Sequence, residues 1–259
     1  MTSKLTKLFV AVLIVIGTSS CTDWNAEYQK RLEQSAQPVM KKYNYCDNIY
    51  DKTLNKNRKV YEDIDKVDDA TLDLLSEYIP YNDPQFHDGY DLDKLSNALF
   101  VHIPSGIDNV ASSLFNKSIH SYHYFYNEEI FDKGYMKNVL NQFNEVFIQP
   151  LKKADYLVVA ENIIKVEPKI KRGGFSEGAV MCNVTIYDLR SFSEIDSYTV
   201  TAVNSNTVTA WKSDGKKISN GDLSRDLYRN LKKIIIQKLI DDSPVRFDIR
   251  ETPAVQSVQ

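Results

Sequence analysis

Cysteine is scarce in this chain: Cys21, Cys46 and Cys182 are the three it has in 259 residues, so at most one disulfide can form within it. Long apolar runs are scarcer still. The one uninterrupted run, residues 8–17, falls short of the ~20 apolar residues that a membrane-spanning helix needs, and no later segment reaches that length. Basic charge is not in excess either. With 32 lysines and arginines against 35 aspartates and glutamates, the composition argues against non-specific binding to nucleic acid. Glycine patterns that cradle phosphates or dinucleotides are absent, since Lys171-Arg172-Gly173-Gly174 is too short to be either.

What is present is concentrated first at the amino terminus. Lys4 and Lys7 form a small positive region, Leu8 to Gly17 an apolar one, and Thr18-Ser19-Ser20 a small polar stretch before Cys21. This is the layout of an export signal, and its last four residues resemble the lipobox of bacterial lipoproteins. That resemblance implies diacylation of Cys21, which becomes the first residue of the mature chain, and a membrane tether through the attached lipid. Thr18 and Ser20 stand where the family pattern favours Leu and Gly or Ala, so an ordinary secretory signal cut near Ser20 is the alternative. Thr22, rather than an acidic residue after the cysteine, implies an outer-membrane lipoprotein facing the periplasm. Removing residues 1–20 takes Lys4 and Lys7 from the 32 basic residues and leaves 30 against 35 acids, a net charge of −5. Cys46 and Cys182 then remain as an even pair in an oxidising compartment, where they could bridge. Cys182 lies in the alternation Val180, Cys182, Val184, Ile186, which reads more simply as a small hydrophobe on the inner face of a strand.

Beyond the signal, residues 21–95 read as a polar, helical amino-terminal region. Tyr28, Leu32, Val39, Met40 and Tyr43 fall near a helical stripe, Thr71 to Leu75 opens a short helix, and Ile79 to Pro84 breaks structure between two prolines. These stripes are too weak for an independent core. Residues 96–241 carry sharper signals. Phe131, Tyr135, Val139, Leu140, Phe143, Val146 and Phe147 predict an amphipathic helix stopped by Pro150. Tyr156 to Ala160 reads as a strand covered on both faces and continued by Ile164, Val166 and Ile170; further strands are expected over 179–189 and 195–203. Asp214-Gly215 and Asn220-Gly221 read as turns. Leu223, Leu227, Leu231, Ile234, Ile235 and Leu239 then predict a final helix with Asp222 as its N-cap, followed by a tail over 242–259. The expected fold class is α+β: a mainly antiparallel sheet with packed helices, preceded by the helical region.

The runs Lys153-Ala154-Asp155-Tyr156-Leu157-Val158-Val159 and Val184-Thr185-Ile186-Tyr187-Asp188-Leu189-Arg190, with a second β run from Glu194-Ile195, resemble the small α/β domain of envelope lipoproteins and secretion factors. That group includes the TolB amino-terminal domain and CsgG-like lipoproteins. Ser191, Phe192 and Ser193 replace its usual Thr-Gly turn, and Ala160 stands where it has Gly at the end of the first strand. The resemblance implies a non-enzymatic role in envelope assembly or docking, with an envelope protein as partner.

Three constellations could carry chemistry. Gly174-Phe175-Ser176-Glu177-Gly178 matches the G-x-S-x-G elbow of serine hydrolases, but all four histidines precede Ser176, and the residues after it alternate like a strand. A glycine-rich hairpin is the better reading. In Ile119 to Tyr126, His120 and His123 would share a helix face and could join His102 in a metal site or an enzyme. The composition favours a strand, which sets His120, Tyr122, Tyr124 and Tyr126 on one face as a candidate partner-binding surface. The acids Asp47, Asp51, Glu62, Asp63, Asp65, Asp68 and Asp69 alternate with lysines and lack calcium-loop spacing, so they read as a solvated helical face. The reading that results is a lipid-anchored envelope protein with a structural or protein-binding role, with no cofactor, metal or catalytic residue assigned. The alternative is a metal-binding protein or enzyme built on His102, His120 and His123.

Overall fold

Eleven residues in a row, Tyr156–Val166, form a strand buried along almost its whole length, and the rest of the protein is arranged around it. The computed structural model describes residues 23–54, 58–77, 95–103, 125–172, 174–205 and 219–248. The signal segment, Cys21, the Ile79–Pro84 break, the Asp214-Gly215 turn, and His120, Tyr122, His123 and Tyr124 lie outside them. The strands are β1 (Lys59–Tyr61), β2 (Ala98–Ile103), β3 (Tyr156–Val166), β4 (Lys169–Lys171), β5 (Gly174–Ser176), β6 (Ala179–Asp188) and β7 (Ser193–Val203). β3 pairs antiparallel with β6, and β6 antiparallel with β7. On the other edge of β3 lie two strands in tandem, both parallel to it: β2 opposite Tyr156 to Glu161 and β1 opposite Ile164 to Val166. The sheet is therefore mixed and mostly antiparallel, in an α+β fold. β4 and β5 form a separate hairpin.

Helices cover both faces of the sheet, which is why β3 reads as a continuous apolar run. On one face, α1 (Trp24–Ala36), α2 (Met40–Leu54), α4 (Lys133–Phe143), α5 (Gln149–Lys153) and the helical turns that join them place Tyr28, Leu32, Val39, Tyr43, Cys46, Val139, Phe143 and Phe147 against Leu99, Val101, Leu157 and Val159. Further along this face, Val67 and Leu75, the latter on α3 (Asp69–Glu77), pack on Ile164, Val166 and Met181. The opposite face is covered by α6 (Asn220–Asp241), whose predicted stripe of Leu223, Leu227, Leu231, Ile234, Ile235 and Leu239 is buried throughout. α6 starts at Ser219, not Asp222. Ser219 caps the helix, and Asp222 accepts from the Ser219 backbone N–H in return, a reciprocal capping box. Asn220 and Gly221 are thus the first helical residues, not a turn.

Two features of the backbone depart from the periodic reading. Pro150 does not stop the helix before it: a π-helical segment, Asn144–Ile148, intervenes, and Pro150 stands in the first turn of α5. The extra residue per turn also rotates the stripe: Val146 turns to solvent and Ile148 turns inward. Phe131 and Tyr135, expected on the buried stripe, are exposed, since α4 begins only after its N-cap Asp132 and buries Met136, Val139 and Phe143. In β3, Ile163 is a bulge. Asn162 pairs with Cys182 and Ile164 with Met181, so Lys165 comes to the same face as Asn162 and looks toward α6.

Candidate functional site

His102 occupies β2 in register with Ala160 and is turned toward α6. Its Nε2 donates to Oδ1 of Asn162 at 2.9 Å, and its ring meets that of Tyr228 edge-on with centroids 5.3 Å apart. Nδ2 of Asn162 in turn donates to the Tyr228 hydroxyl at 3.4 Å. The ammonium of Lys165, whose side chain is wholly buried, lies 5.3 Å from the same ring and 2.6 Å from Oε1 of Glu167. Burial pushes the His102 imidazole down to about 4, with the Asn162 bond opposing and the charges of Lys232 and Lys165 adding to the fall. The ring is neutral at pH 7, with the Nε2 proton held by Asn162. Through these contacts His102 ties β2, β3 and α6 together within the core, while His120 and His123, its expected partners in a metal site, lie outside the described residues. Among the described residues, no group of three or more His, Cys, Asp or Glu is placed to hold a metal ion.

A second arrangement lies at the turn between β6 and β7. Asp188 accepts from the backbone N–H groups of Arg190 and Ser191, an Asx turn that closes Leu189 to Phe192. Phe192 then adopts φ 58°, the one non-glycine residue with positive φ among those described. That conformation costs a bulky side chain roughly 1–2 kcal/mol. The ring is partly exposed. It packs edge-on against Tyr45 of α2 at 5.2 Å, Tyr45 meets Tyr187 at 6.2 Å, and the Lys41 ammonium sits 4.4 Å from the Phe192 ring centre.

No family model matches the chain, and no curated protein matches it. Among solved structures, it is similar to a hypothetical protein, CT253, from Chlamydia trachomatis, at 16% identity and a TM-score of 0.27, over 55% of this chain and 93% of that one. It is also similar to the lipoprotein GNA1162 from Neisseria meningitidis, at 10% identity and a TM-score of 0.21, over 54% of this chain and 94% of that one. Neither likeness is close enough to carry a role across.

The remaining sequence candidates are distributed as follows. Cys46 and Cys182 are free, buried thiols in the cores on opposite faces of the sheet, so the bridge they could have made is not formed. Burial pushes Cys46 up to about 12 and Cys182 well above the usual thiol range. Of the tyrosine run, Tyr126 is described. It is exposed, in a helical turn with Phe125, where the composition predicts a strand. Ser176 lies on β5, its hydroxyl donating to the Lys169 carbonyl at 3.3 Å, as the hairpin reading expects. The acids are tied locally. Asp63 and Asp65 pair with Lys171, Glu62 with Lys66, and Asp68 accepts from Thr71 at the start of α3. The residues missed from sequence, Asn162, Lys165 and Tyr228, left one signal. Three polar side chains, Glu161, Asn162 and Lys165, interrupt the apolar strand β3 and must be satisfied inside the core.

Proposed function

We propose that this chain is a lipid-anchored protein of the cell envelope, tethered through Cys21, with a structural or protein-binding role at its α/β domain. The observation that carries the reading is the junction of signal and fold. α1 is capped by Asp23, whose carboxylate accepts from the N–H groups of Asn25 and Ala26 at 3.1 Å, so the folded body starts two residues after Cys21, the expected first residue of the mature chain. The protein-binding half rests on Phe192 and the aromatics around it. That turn stands beside the carboxyl end of α5, since the Leu189 N–H donates to Asp155. The helical run from Lys133 to Lys153 lies between this turn and Phe131, a distance of about 30 Å at helical rise.

Two measurements test the two halves. The mass of the protein extracted from its own membranes is expected to correspond to a chain starting at Cys21 with diacylglycerol and an acyl chain attached; an unmodified cysteine removes the anchor. A photo-crosslinkable phenylalanine analogue at position 192 is expected to capture a reproducible envelope protein in cells, and the absence of any adduct counts against the docking role. Phe192→Gly relieves the positive φ and loses the Tyr45 contact, so stability is expected to stay within about 1 kcal/mol while partner capture from a neighbouring labelled position fails.

A further inference from the structure

Phe131 is 74% exposed, more than any other large apolar side chain among the described residues. It does not stand alone. Its ring lies 6.0 Å from that of Tyr135, the Tyr135 hydroxyl donates to Glu128, and Tyr126 is exposed on the same segment. Three hydrogen bonds hold this segment on the first two turns of α1: the Tyr28 hydroxyl to the Phe125 carbonyl, the Gln29 amide to the Tyr126 carbonyl, and the Ile130 N–H to Asn25 Oδ1 at 2.7 Å. The aromatic cluster is therefore fixed beside the end of the helix that follows Cys21. Two peptide units separate Cys21 from the cap Asp23, at most about 7 Å of chain, and Asn25, two residues further on, bonds to Ile130 beside Phe131, so an acyl anchor on Cys21 would belong to the same end of α1 as Phe131.

We propose that Phe131, Tyr135 and Tyr126 form a membrane-docking face that seats in the lipid headgroup region and sets how the domain stands on the bilayer. The proposal rests on the anchor reading above. The occupant is a lipid surface because the tether brings this patch, and not the opposite end of the domain, against the membrane, and because aromatic rings with polar tips favour the boundary between water and acyl chains. The surrounding charge narrows the lipid. The two segments that carry the patch, 23–31 and 125–135, hold Asp23, Glu27, Glu128, Glu129 and Asp132 against Lys30, Lys133 and the Arg31 that pairs with Glu27, an acidic balance. An acidic rim is repelled by anionic headgroups, so the face fits a zwitterionic surface.

The test uses the mature, acylated chain in phosphatidylcholine vesicles, with a nitroxide at Phe131→Cys or at Ser191→Cys; the buried thiols of Cys46 and Cys182 do not compete for the label. At position 131, accessibility to a water-soluble nickel chelate is expected to be several-fold lower, and that to oxygen higher, than at position 191. Phosphatidylglycerol added to the vesicles is expected to reduce that difference. Hydrogen exchange over residues 125–135 of the unlabelled protein, slower on vesicles than in detergent, checks that the label has not created the contact. Equal accessibility at both positions in a chain that floats with the vesicles overturns the docking face and leaves the anchor. A label shielded from both reagents means that protein covers the patch, and overturns the docking face as well. A chain that is not acylated and stays in solution overturns the anchor and the docking face together.

Discussion

At the scale of single residues, the molecule's most consequential polar contact is the one between His102 and Asn162, because both are buried and neither has water to turn to. Unfolded, the imidazole takes a proton near 6.5; folded, it does so near 4. Between those values the unfolded chain holds more protons, so stability is full above pH 6.5 and is lost as the pH falls toward 4. The cations that face His102, Lys165 from β3 and Lys232 from α6, act in the same direction as burial. From pH 7 to pH 5 this group is expected to remove about 2 kcal/mol. His102→Gln keeps a polar side chain there and cannot titrate, so urea midpoints for the variant should change less between the two pH values than those of the natural chain. Equal changes would mean that carboxylates elsewhere govern the acid limb. Sequence alone placed His102 among candidate ligands because a histidine's chemistry is visible in its name and its burial is not. The partner that decides its role, Asn162, lies 60 positions away and is brought to it by the pairing of β2 with β3.

Among the elements, those with a long, regular period were legible. β6 and α6 repeat a buried position often enough for the pattern to identify both type and face, and β3 is marked by its unbroken apolar run. β1 was not, since Lys59-Val60-Tyr61 is three residues long and stands among charged neighbours, and it becomes a strand only by pairing with Ile164 to Val166. The π segment could not be read either, because it inserts one residue into a stripe that otherwise looks helical. The G-x-S-x-G match shows how an element resolves a motif: its two glycines sit at opposite ends of a hairpin and do different things. A Cβ on Gly178 would lie 2.8 Å from both the Pro168 nitrogen and the Val166 carbonyl oxygen, whereas one on Gly174 would meet nothing within 4 Å. Gly178 also donates its N–H to Asn204, which bonds on to the Leu223 carbonyl of α6. Gly178→Ala is therefore expected to cost about 1–3 kcal/mol through a forced backbone shift, and Gly174→Ala to stay within about 0.5 kcal/mol. Thermal or urea unfolding of the two variants checks this. A neutral Gly178→Ala would show that the hairpin gives way freely, and that the tie from β6 through Asn204 to α6 bears little load.

For the whole molecule, the question is whether the amino-terminal helices are an appendage or part of the core. Their stripes are weak in sequence because their partners, the helical run from Lys133 to Lys153 and the sheet beneath it, come from distant parts of the chain, and that contribution is invisible from the helix side. In the structure Tyr28, Leu32, Val39, Tyr43 and Cys46 are all at most 4% exposed and pack with Leu99, Val101, Leu157 and Val159. At ~1.5–3 kcal/mol for each large apolar side chain buried, losing these contacts removes on the order of 10 kcal/mol, as much as the ~5–15 kcal/mol by which a domain is stable at all. The same cut removes β1 from the edge of β3 and Leu75 from its small core. A chain beginning at Ser96 is therefore expected not to fold. It should lack a cooperative unfolding transition and bind a hydrophobic dye, while the mature chain from Cys21 should unfold in one step, with circular dichroism and tyrosine fluorescence coincident. A folded, cooperative fragment would show that α6 and the strands suffice, and α1 and α2 would then be free to move relative to the sheet. Such freedom would also detach Phe131 from any fixed orientation at the membrane, because the segment that carries it is held in place by Asn25, Tyr28 and Gln29 of α1.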